Sequence, residues 1–136
     1  MQFYCGAIRP TAEYASPAFH SMVPTYLSEA LDRQQNQALK NIFGPDISAA
    51  KMREKAGIKT LQERREIATL KFAEKAAMSQ RFSARWFPTR GGQASTRNAR
   101  PYLERVSRTE RHRNSPLNYM RRALNEKRNE EHRRPP

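Results

Sequence analysis

Between Pro24 and Pro45 the chain carries a helix whose two ends are marked by its own residues. Leu27, Leu31, Ala38 and Ile42 recur at spacings of four, seven and four, and Gln34 or Gln35 fills the missing step. That spacing lines one face of a helix with a period of about 3.6 residues. Thr25 offers a hydroxyl to the first turn, and Glu29 and Asp32 stand early, where the helix dipole favours negative charge. Lys40 falls in the last turn, Gly44 offers a left-handed stop, and Pro45 prevents continuation. The expectation is one amphipathic helix over Thr25–Gly44, with the rest of the chain arranged around it.

The flanking segments read as shorter helices. Residues 1–9 are apolar and aromatic (Phe3, Tyr4, Ile8) and are expected to be buried. Pro10 suits the first turn of a helix through Ala15, which Pro17 kinks or ends; Tyr14, Ala18 and Met22 share a face if it continues. A helix from Ser48 to Ala56 closes at Gly57, and Thr60 with Glu63 forms a capping box for the next, Leu61 to about Gln80. In that helix Leu61, Ala68, Phe72 and Ala76 gather on one side, and Ile67, Leu70, Ala77 and Met78 roughly opposite. A helix apolar on two sides packs between elements or against a partner. Phe82, Trp86 and Phe87 lead into Pro88, Gly91-Gly92 and a run of Ser, Thr, Asn and Arg, which is loop chemistry. Ser115 and Pro116 open a short helix near 116–127 with Leu117, Met120 and Leu124 on one face, and residues 130–136 read as disordered. No strand pattern of useful length occurs. The fold class is therefore all-α, a small irregular bundle, with residues 1–80 helical and 81–136 an arginine-rich, partly disordered arm.

Charge separates those two regions. The 136 residues hold 26 Lys+Arg against 13 Asp+Glu, a net of +13. Residues 1–80 carry 11 basic and 8 acidic side chains, a net of +3; residues 81–136 carry 15 and 5, a net of +10, with 14 arginines among the 15. Arginine grips phosphate oxygens with a planar fork of donors, so nucleic acid is the expected partner. A solvated basic tail with no specific partner is the alternative. Within the arm Arg97, Arg100, Arg105, Arg108, Arg111 and Arg113 are interleaved with Tyr102 and His112, a pattern suited to neutralising phosphates and stacking on exposed bases.

Catalytic chemistry finds little support. Asp32 and Asp46 are the only aspartates and read as a helix-surface charge and a turn or cap residue; two-metal phosphoryl chemistry needs carboxylates that converge. His20, His112 and His132 are too scattered for a metal site, and a Cys5–His20 nucleophile is weaker than a packing role for Cys5. Gly91-Gly92 lacks the lysine and helix start of a phosphate loop. No catalytic residue, cofactor or metal is assigned. With a single cysteine there is no internal disulfide, and no apolar run approaches the ~18 residues of a membrane span. The expectation is an intracellular protein, with nucleus and cytoplasm both open.

Several stretches, taken in order, resemble the C-terminal part of non-LTR (LINE-type) retrotransposon reverse transcriptases. They are Ile8-Arg9-Pro10, Glu13-Tyr14-Ala15-Ser16-Pro17, Phe19-His20, Tyr26-Leu27-Ser28 and the helix end Ala38-Leu39-Lys40-Asn41-Ile42-Phe43-Gly44. Gly57-Ile58-Lys59-Thr60-Leu61-Gln62-Glu63-Arg64-Arg65 with Leu70-Lys71-Phe72 looks like the following helix, and Arg97–Tyr102 with Arg108–Pro116 looks like the terminal arginine-rich tail. Phe19 stands where many relatives have tryptophan. The resemblance implies a thumb-like region plus tail, whose family role is to hold the template–primer duplex against the palm. Fingers, palm and catalytic aspartates have no counterpart here, so it implies a non-catalytic remnant.

The expected nucleic-acid contacts are Arg64, Arg65, Lys71 and Lys75 on the long helix, and Arg97, Arg100, Tyr102, Arg108, Arg111 and Arg113 in the arm. Binding is expected without sequence specificity, to RNA or DNA. The alternative is a small protein–protein interaction module that uses the apolar faces of 61–80 and has no nucleic-acid role.

Overall fold

The structure, a computed structural model, describes residues 1–89 and 101–133. It is all-α. A π-helical turn, Tyr4–Ile8, runs into α1 (Arg9–Glu13), followed by α2 (Ser16–Phe19), a 3-10 turn (His20–Met22), α3 (Thr25–Phe43) and α4 (Ala49–Ala56). Then come α5 (Leu61–Met78), α6 (Gln80–Trp86), α7 (Glu110–Arg113) and α8 (Pro116–Arg133). Among the described residues β-pairing is limited to one isolated antiparallel bridge, Thr89 to Tyr102. None of the described helices is long and apolar enough to cross a membrane.

The chain divides into two compact units: Met1–Ser16 with Val23–Ile67, and Pro17–Met22 with Ala68 onward. The boundary expected near residue 80 lies instead within α5, because the second half of that helix supplies the core of the C-terminal unit.

In the N-terminal unit Tyr4, Leu39, Met52 and Leu61 are buried. The helix ends are built as the residues dictate. Ser48 caps α4, its hydroxyl accepting from Lys51 N at 3.5 Å. Gly57, at φ 62° and ψ 30°, ends α4 in the left-handed region, with Gly57 N donating to Glu54 O and Ile58 N to Arg53 O, both at 3.0 Å. Thr60 Oγ1 accepts from Glu63 N at 3.1 Å, the Thr half of the expected capping box.

The first backbone donor of α5 is capped from another helix. Leu61 N donates to Asp32 Oδ1 at 3.1 Å and to Gln35 Oε1 at 3.2 Å, while Gln35 Nε2 donates to Lys59 O at 3.1 Å. Two polar residues of α3 thus hold the start of α5, and this redirects the buried face of α3. Gln35 and Leu39 are its buried residues, whereas Leu27 and Ile42 are 45% and 40% exposed. Asp32, expected to be a surface charge, is one of these caps. Thr25 is not a cap: it is the first helical residue, after Pro24.

Other expectations for this unit are met in part. Tyr4 is buried, but Phe3 and Ile8 face solvent. The helix from Pro10 ends before Pro17, one of the two outcomes expected there: α1 stops at Glu13, short of Ala15, which sits at φ 53°. Tyr14 is 81% exposed as a result.

In the C-terminal unit Ala73, Ala76, Phe87, Met120 and Leu124 form the buried cluster, with Leu70, Ala77, Phe82, Trp86 and Tyr102 packed against it. Met120 and Leu124 are the expected apolar face of α8. The buried line of α5 is not one of the two faces read from its apolar residues. It passes through Leu61, Arg65, Thr69, Ala73 and Ala76, at spacings of four, four, four and three, and leaves Phe72 and Met78 exposed. Segment 81–86, read as loop, is α6, and Phe82 stacks on Trp86 with ring centroids 4.4 Å apart. Helix α8 is longer than expected, reaching Arg133.

Candidate nucleic-acid interface

The described part of the basic segment is anchored to the core by α8 side chains. Asn125 mimics a strand partner for Tyr102: Tyr102 N donates to Asn125 Oδ1, and Asn125 Nδ2 donates to Tyr102 O, each at 3.1 Å. Leu103 N donates to Pro88 O at 3.0 Å. Asn118 Nδ2 donates to Ser107 Oγ at 3.3 Å and His112 O at 3.1 Å, fixing the path from 107 to 112. Thr109 caps α7, accepting from His112 N at 3.3 Å, so Arg111, His112 and Arg113 fall in the last turn of that short helix. Between Arg105 and Arg122 six arginines stand against one acidic residue, Glu110. Arg105, Arg108, Arg111 and Arg113 are exposed.

Arg105, Arg113 and Arg122 line one open cleft of about 480 Å³, with Glu104, Asn125 and Glu126 on its other walls. The guanidinium of Arg122 also lies 5.8 Å from the ring centroid of Tyr119. A cleft of this kind presents several forked donors at once, which suits phosphate oxygens. Glu104, which accepts from Asn125 Nδ2 at 3.2 Å, and Glu126 also line the cleft, so its charge is mixed.

The expected contact residues separate into groups. Arg108, Arg111 and Arg113 are exposed on the same short stretch, and Lys71 and Lys75 are exposed on α5. Arg97 and Arg100 lie outside the described residues. Arg64 is committed elsewhere: its Nη2 donates to Glu13 Oε2 at 3.0 Å and its Nε also reaches Glu13. That hydrogen bond raises the Arg64 pKa above its ordinary value.

Arg65 is a correction. It is 1% exposed, with Nη2 donating to Ser28 Oγ at 2.7 Å, so it is part of the N-terminal unit's interior and does not face solvent. Tyr102 is a second correction. Its ring packs edge-to-face on Phe87, 6.0 Å between centroids, and belongs to the core rather than to a stacking platform. Sequence reasoning missed Asn118, Arg121, Arg122 and Asn125. Their spacing of three, one and three is itself helical, but a search for apolar periodicity passes over it.

No group of three or more His, Cys, Asp or Glu among the described residues could hold a metal ion. The chain matches no protein-family model, no curated protein and no solved structure.

Proposed function

We propose that the protein binds nucleic acid without sequence specificity, through the arginine surface of its C-terminal unit. The carrying observation is the stretch from Arg105 to Arg122, where four exposed arginines and a half-buried fifth are held on a framework fixed by Asn118 and Asn125. Exposed guanidiniums release the counterions condensed on a polyanion, and this supplies affinity for any sequence. Such contacts fix position and read no bases. The resemblance to the thumb and tail of non-LTR retrotransposon reverse transcriptases supports the same reading and assigns the chain no bond-making step.

The test compares two charge-matched variants by fluorescence anisotropy with a labelled oligonucleotide. Arg108, Arg111 and Arg113 are changed to Gln in one; Lys51, Lys55 and Lys59, all exposed in the N-terminal unit, are changed to Gln in the other. Each loses three charges. The arginine variant is expected to bind about ten- to a hundredfold more weakly at low salt, and the lysine variant within roughly threefold of the parent. Equal losses in both, or none in either, would refute the assignment.

The exposed Phe72 and Met78 on α5 favour the second reading, a protein-binding module. A partner that stays bound through nuclease treatment and high-salt washing supports that reading over the first.

A further inference from the structure

A second cavity of the C-terminal unit, of about 260 Å³, is lined by Arg85, Trp86, Arg105, His112, Ser115, Asn118 and Arg121 among others. Among the described residues no carboxylate lines it. Arg121 is only 2% exposed. Its Nε donates to Trp86 O at 2.7 Å and its Nη1 to Asn118 Oδ1 at 3.3 Å, both neutral acceptors. Among the described residues no carboxylate lies within ion-pair distance of it. Burial, and secondarily the charge of Arg105, push the Arg121 pKa down.

A buried cation normally has a counter-charge, since desolvation without one costs several kcal/mol. Here the groups around the cation are further cations and dipoles. The site is also held in shape before any ligand arrives. Asn118 uses both amide hydrogens on Ser107 Oγ and His112 O, and its oxygen on Arg121.

We propose that this cavity binds a single phosphate group. Arg85 and Arg105 grip it at the mouth, Arg121 neutralises it from within, and the Ser115 hydroxyl adds a neutral donor. The inference deepens the nucleic-acid reading and rests on it: the diffuse arginine surface gains one discrete pocket, suited to a strand's terminal phosphate. Free phosphate presents the same chemistry.

Trp86 is the chain's only tryptophan, and its carbonyl is held by Arg121, so its emission reports on the cavity. The full chain is titrated with inorganic phosphate against sodium chloride of matched ionic strength at fixed pH. A saturable change with phosphate and none with chloride is expected. Arg85→Gln and Arg105→Gln, both at exposed positions, are expected to raise the half-saturating concentration roughly five- to tenfold each. A phosphate response no larger than that of chloride, or half-saturation unmoved in both variants, would overturn the proposal.

A 5′-phosphorylated oligonucleotide that displaces phosphate better than its 5′-hydroxyl twin identifies a strand end as the ligand. Equal displacement assigns the site to free phosphate. Anisotropy on the same samples separates the two claims. Oligonucleotide binding without a phosphate response sinks the cavity and leaves the broader reading standing; a phosphate response without oligonucleotide binding does the reverse.

Discussion

The cap supplied to α5 by α3 makes a specific thermodynamic prediction. Leu61 is 3% exposed, and its N–H has two acceptors, Asp32 Oδ1 at 3.1 Å and Gln35 Oε1 at 3.2 Å. Asp32→Ala removes one and leaves the other, and is expected to cost about 1 kcal/mol, the usual scale for a helix cap. Gln35→Ala also forfeits the bond to Lys59 O and vacates a buried site, for about 2–3 kcal/mol. The double variant does what neither single change does: it strands a buried backbone donor. That adds roughly 1–2 kcal/mol beyond the sum of the two. Urea denaturation followed by far-ultraviolet circular dichroism measures all four corners of the cycle. Additivity within about 0.5 kcal/mol would show that the two side chains do not share the Leu61 donor, and the capping argument would fall.

Other consequences can be checked in the same preparations. Gly57→Ala is expected to cost about 1 kcal/mol; a Cβ there meets nothing within 4 Å, so the loss comes from the left-handed φ of 62° alone. Burial raises the Tyr4 hydroxyl pKa above 10, with Gln35 and Arg9 partly offsetting it. The folded chain therefore holds that proton more tightly than the unfolded chain: its contribution is intact below about pH 10 and is lost as pH climbs through the raised value. Tyr4→Phe should flatten that alkaline decline in a pH series of melting temperatures. Arg65→Ala is expected to lower stability by about 2–4 kcal/mol through lost packing and the lost bond to Ser28, while oligonucleotide affinity of the folded fraction stays unchanged.

What the sequence showed most clearly were elements whose ends are set locally. Pro45 after Gly44, Ser48 with Gly57, and Pro116 each mark a boundary within a residue or two of where the helix starts or stops. Buried faces were harder to read, because this fold buries polar residues along helical lines. Gln35 in α3, Arg65 and Thr69 in α5, and Asn118, Arg121 and Asn125 in α8 all occupy core-facing positions. Several are tied to a partner distant in sequence, such as Lys59 for Gln35 or Tyr102 for Asn125, and hydrophobic patterning carries no trace of such pairs. The same limit applies to the candidate site. Exposed Arg108, Arg111 and Arg113 were legible from charge alone. The enclosed Arg121 was not, because its role depends on where the Trp86 carbonyl and Asn118 come to rest.

The most direct measurement is the salt dependence of oligonucleotide affinity for the full chain. Plotted as log K against log salt between about 50 and 400 mM, the slope is expected to be steep and negative, falling by about 0.7 for each single-strand phosphate neutralised. Replacing Arg108, Arg111 and Arg113 with Gln should make it shallower by about 2. An affinity that is flat across that range, or a slope untouched by losing those three guanidiniums, would contradict binding through this surface.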